Sequence, residues 1–143
     1  MDFGAPESEE FLKLLTHQLE ASLIKEELDA LSLAVHFHVI LAGKDAFTAT
    51  MNYFLNLKKV NQDVFPLSAL VNAGTFQDEE TAQQTRQTLS QTSPAYCFGQ
   101  IGSSQSGREI LALLSGSGDV SSLGLVGRIQ YKKVMREINE LPL

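Results

Sequence analysis

The fold is decided in residues 31–58, LSLAVHFHVILAGKDAFTATMNYFLNLK. In the first half Leu31, Leu33, Val35, Phe37, Val39 and Leu41 alternate with Ser32, Ala34, His36, His38 and Ile40. That is the period of two expected of a strand with one buried face. After Ala42-Gly43-Lys44-Asp45 the alternation resumes, with Phe47, Ala49, Met51, Tyr53, Leu55 and Leu57 set against Thr48, Thr50, Asn52, Phe54, Asn56 and Lys58. Two alternating runs around a short turn predict an antiparallel β-hairpin, about 31–42 and 46–58. Phe47, Met51, Phe54 and Lys58 are also helically spaced, so a helix over 46–59 competes. The threonines and asparagines on one face favour the hairpin.

Upstream, Ser8 followed by Glu9 and Glu10 predicts a helix start, because a serine oxygen and two carboxylates suit the positive end of a helix dipole. Phe11, Leu12, Leu15, Leu19 and Leu23 then recur on one stripe and carry the helix to near Asp29. Downstream, Pro66 predicts a short helix through Ala73, closed by Gly74. The polar run 75–92 reads as a surface helix or a loop, and Ala95–Ile101 as a short third strand. A helix is expected from Ser106 or Gly107 to Leu114. After the turn Gly116-Ser117-Gly118, Asp119 is expected to cap a last helix ending at Glu140-Leu141-Pro142. Together these predict a single α+β domain over 1–143: an N-terminal helix on a small antiparallel sheet, and a helical C-terminal half. The alternative, should the hairpin fail, is an all-α fold.

Composition narrows the function. A chain of 143 residues with 43% apolar residues can bury a core without disulfides or a structural metal. The net charge of −6 repels polyphosphates, so neither nucleic acid nor an anionic membrane is an expected partner. A single cysteine, Cys97, excludes an internal disulfide and a thiolate metal site, and it is read as a small buried apolar residue. The acidic start MDFGAPESEE lacks the pattern of an export signal, and the most apolar window, Leu31–Ala42, is too short and too polar to span a bilayer. A cytoplasmic protein without a cofactor is expected.

Two motifs carry potential chemistry. Gly102-Ser103-Ser104-Gln105-Ser106-Gly107-Arg108-Glu109 resembles a phosphate-binding loop in its glycine spacing, but Arg108 and Glu109 stand where lysine and a hydroxyl residue belong. A strand-to-helix turn capped by Ser104 or Ser106 is therefore the expected form, and a small-anion site of Gly102, Ser104, Ser106, Gly107 and Arg108 is its sharper alternative. His36-Phe37-His38 resembles the His-x-His strand of carbonic anhydrases and cupins over those residues only; with no third ligand nearby in the chain, no metal site is expected.

Arg128, Lys132 and Arg136 follow at intervals of four and form a basic strip on the last helix. The strip could dock an acidic partner or the acidic N-terminal helix of another copy. In its order of elements, size and acidity the chain looks like the small dimeric chaperones of bacterial secretion systems, which implies protein binding. The expected function is thus a non-catalytic adaptor, chaperone-like or assembly factor that self-associates, with a homodimer as the simplest form. The alternative is a small-ligand or anion-binding site, with or without enzymatic activity, built on the Gly99–Gly107 loop and Arg108.

Overall fold

The computed structural model describes residues 5–102 and 104–143. The elements follow in the order α1 (Ala5–His17), α2 (Ala21–Ala30), β1 (Phe37–Leu41), α3 (Phe47–Asn61), β2 (Leu67–Asn72), α4 (Glu79–Ser90), β3 (Ala95–Phe98), α5 (Gln105–Leu114) and α6 (Leu125–Asn139). Short 3₁₀ turns occupy Lys44–Ala46, Ala73–Thr75 and Val120–Ser122.

The antiparallel hairpin expected over 31–42 and 46–58 is not formed. β1 pairs with β2 in parallel, Val39 opposite Ala69 and Leu41 opposite Val71. β2 pairs in parallel with β3, Ala69 opposite Ala95 and Val71 opposite Cys97. The described sheet is therefore parallel throughout, in the order β1-β2-β3. Parallel neighbours need a crossover, and the segment expected to be the second hairpin strand is that crossover, α3. Burial gives the reason: Phe54, Leu57 and Asn61 are buried while Leu55 is 52% exposed, a period of three to four that a strand cannot satisfy. The threonines do not oppose the helix, since Thr50 Oγ1 donates back to the Ala46 carbonyl at 3.0 Å.

Other boundaries also shift. The short helix expected from Pro66 to Ala73 is instead β2, whose Ser68, Ala69, Leu70 and Val71 are all buried. A central parallel strand is covered on both faces and so shows a continuous apolar run without alternation. β1 begins only at Phe37; Leu31 and Leu33 are exposed, and Ser32 takes a positive φ of 58°. The helix expected over 8–29 is divided into α1 and α2, because the Gln18 and Leu19 amides both donate to the Leu14 carbonyl, each at 3.0 Å, and end the first helix. The polar run 75–92 contains α4, capped by Asp78, whose Oδ1 accepts from the Thr81 amide at 2.7 Å. Asp119 caps the 3₁₀ turn through Ser121, not α6, which starts after Gly124.

The main apolar cluster lies on one face of the sheet. Val39, Leu41, Ala69 and Val71 meet Phe54 and Leu57 from α3, Ala82 and Leu89 from α4, and Leu15 and Ala21 from α1 and α2. Both crossover helices thus cover the same face. Phe37 extends the cluster through edge-on contacts with Phe11 at 5.5 Å and Phe65 at 5.2 Å between ring centroids. His38, Ile40, Ser68, Leu70, Tyr96 and Phe98 alternate onto the opposite face. There Leu70 is buried but Ile40 on β1 is exposed. α6 packs against β3 and α5 packs on α6, burying Ile110, Leu123 and Val134.

Candidate functional site

A parallel sheet collects its β-to-α loops at one end, the carboxyl edge, where open α/β sheets bind ligands. Here the loops are fastened to each other. Thr75 Oγ1 accepts from the Gly43 amide at 2.8 Å and donates to the Asn72 carbonyl at 2.7 Å. Gly74 lies so close to the next loop that a Cβ on it would stand 2.5 Å from the Gly99 carbonyl oxygen.

The glycine-rich segment after β3 leads into α5 at this edge. Ser104 is the N-cap: its Oγ accepts from the Gly107 amide at 3.2 Å, and its carbonyl accepts from the Arg108 amide at 3.1 Å. Gly107 is buried beneath the Gly102 carbonyl oxygen, which a Cβ at Gly107 would approach to 1.7 Å. The chain therefore fills the space against the helix start with its own carbonyl. Of the candidate anion ligands, Gly102, Ser104 and Gly107 come together as this capped turn, Ser106 is half-buried, and the Arg108 side chain is exposed. Ser103 lies outside the described residues.

The two histidines share the sheet face opposite the main cluster. His36 is exposed, and its ring centroid is 6.4 Å from that of His38. His38 Nδ1 is 2.7 Å from Ser68 Oγ, and burial, aided by the neighbouring His36, holds the His38 imidazole below its ordinary value. Among the described residues no group of three or more His, Cys, Asp or Glu side chains could hold a metal.

On α6 the residues Arg128, Lys132 and Arg136 are all exposed, whereas Gly127 and Val134 face inward. Lys133 is engaged by Gln100 Oε1 at 3.1 Å and by Glu137 at 3.8 Å. Apolar residues that the basic strip does not announce also stand on the outer side: Leu125, Val126 and Ile129 are 69%, 62% and 60% exposed. Leu111 and Leu114 of α5 are exposed as well. The signal was present in the chain, because these residues fall off the Gly127, Val134 and Ile138 stripe on which the helix packs.

A groove of about 280 Å³ runs between α4, β3 and the end of α6. Cys97 is in it, half-buried, with Sγ 3.8 Å from the Ala82 carbonyl. Burial raises the thiol above its ordinary value; Arg86 opposes that shift, while Glu137 and Glu79 add to it. The thiol is thus kept protonated, which is the opposite of an activated nucleophile. Arg86 and Glu137 meet here from helices far apart in sequence, and no local motif announces them.

No protein-family model matches the chain, and neither a curated protein nor a solved structure is significantly similar to it. No described helix is long and apolar enough to cross a membrane.

Proposed function

We propose that the chain is a non-catalytic protein-binding module of the cytoplasm that associates with itself, the outer face of α6 docking on α2 of a second copy. One observation carries this reading: Leu125, Val126 and Ile129 stand in solvent on a helix whose other side is packed, and Arg128, Lys132 and Arg136 continue the same surface. Grouped apolar residues with a charged rim have the anatomy of an interface. The α2 region offers the complement, with exposed Leu19, Leu23 and Leu31 beside exposed Glu20, Glu26 and Glu27. Leucines then meet the apolar row and carboxylates meet the cations, which fixes the pairing. A contact between two different patches is heterologous, so it produces a ring when the rotation closes and a filament when it does not. The net charge of −6 argues against a nucleic-acid partner. The anion-site alternative has less support, since the Gly107 amide is already taken by Ser104.

Sedimentation velocity over a concentration series tests the reading. Self-association is expected, weakened about tenfold or more by Ile129→Asp, as for a central interface residue. Arg128→Glu with Lys132→Glu should weaken it likewise, and mixing that variant with Glu26→Lys, Glu27→Lys should restore assembly. A wild-type protein that stays monomeric throughout, or an assembly indifferent to every substitution, removes the proposal.

A further inference from the structure

We propose that the groove between α4, β3 and the end of α6 is a binding site for a small zwitterion of the size of a free α-amino acid, its carboxylate held by Arg86 and its ammonium by Glu137. The site is separate from the outer face of α6.

The groove places opposite charges around a shared space without letting them neutralise each other. Arg86 Nε donates to Gln83 Oε1 at 3.0 Å, which orients the guanidinium, and among the described residues Arg86 forms no ion pair. A guanidinium held in this way presents a planar fork suited to two parallel hydrogen bonds from a carboxylate. Glu137 lies across the groove on α6. Its Oε1 faces Lys133 at 3.8 Å, while its Oε2 is buried without a hydrogen-bond partner. A buried carboxylate oxygen left in that state is costly, so a turn of the Glu137 carboxylate towards the groove, where an ammonium group satisfies it, is favoured. Glu140 lines the same end and adds to the attraction for a cation.

Arg86 and Glu137 also both bear on the protonation of Cys97, which places their charges around one point. Ala95, Cys97 and Leu141 give the groove apolar lining, where charge pairing is stronger than in open water. Its volume of about 280 Å³ falls just below the range of pockets for drug-sized molecules. That size suits an amino acid and is small for a nucleotide.

Cys97 supplies the test, because it is the sole cysteine of the chain and lines the groove. Its rate of alkylation by N-ethylmaleimide is measured in the presence of each free L-α-amino acid in turn except cysteine, whose own thiol would consume the reagent, with acetate and methylamine as single-charge controls. At least one amino acid should slow alkylation saturably, while acetate and methylamine at equal concentration do not. Arg86→Ala and Glu137→Gln should each raise the half-protecting concentration about tenfold or more, the loss expected for one charged hydrogen bond. Arg86→Lys, which keeps the charge without the fork, should recover only part of it. Circular dichroism confirms that each variant is folded before it is scored. The proposal is overturned if no amino acid protects Cys97, if acetate or methylamine alone protects as well, or if folded Arg86→Ala and Glu137→Gln are protected like the wild type. Because the readout is local to Cys97, it remains decisive whether or not the chain self-associates.

Discussion

Asn61 shows how much can rest on one side chain. It is 1% exposed; its Nδ2 donates to the Phe65 carbonyl at 2.8 Å and its Oδ1 accepts from the Phe65 amide at 3.1 Å. This clamp closes the turn from α3 into β2, where Gln62 and Asp63 take positive φ values of 48° and 61°. Asn61→Ala leaves a buried donor and a buried acceptor unpaired, so urea unfolding should show a loss of about 2–4 kcal/mol. A loss below about 1 kcal/mol would mean that the turn relaxes around the gap. His38 makes a pH-dependent contribution. Its folded value is lowered, so the unfolded chain binds the proton more readily. The associated stability is complete above about pH 6.5 and is lost as pH falls from there through the folded value. Urea titrations between about pH 5 and 7.5 should show that slope, and His38→Gln should flatten it. At this scale the sequence was informative, since Ser104 occupies the cap position its side chain suits.

At the scale of elements, α3 was the segment misread, and one pair of leucines explains why. An alternating strand puts Leu55 and Leu57 on the same side, whereas the helix buries Leu57 at 2% exposure and leaves Leu55 outside. Apolar residues at 47, 51 and 57 satisfy either period and only Phe54 breaks the strand pattern, and threonine and asparagine on one face then tilted the reading towards a strand. Tertiary packing overrode that weak preference. Leu57→Ala should cost about 2–5 kcal/mol in urea unfolding, while Leu55→Ala should stay within about 0.5 kcal/mol. Equal losses at the two positions would argue for the strand. β2 was hidden for a related reason: LSALVN carries no alternation because both its faces are covered. β3 and α5 were legible because turn residues bound them, and α6 was legible in its body but not at its start, where Asp119 caps the 3₁₀ turn instead. The basic strip was legible too, but the groove was not, because Arg86 and Glu137 become neighbours only through tertiary packing.

Across the whole molecule, β2 is held on both sides by strands, whereas α6 packs on the edge strand β3 and on α5. Stability should therefore be uneven. In native-state hydrogen exchange the amides of Ser68, Ala69, Leu70 and Val71 should be the slowest, and those of α6 should open at least about tenfold more readily. Equal protection in the two regions would show that the C-terminal helices unfold only with the sheet. The order of the strands across the sheet repeats their order along the chain, and among the described residues every member of the main apolar cluster lies at or before Cys97. During synthesis on the ribosome each emerging strand finds its neighbour already waiting, so the interior can form by accretion. Once β3 has left the ribosome the emerged chain already carries that interior, with α5 and α6 still to be added.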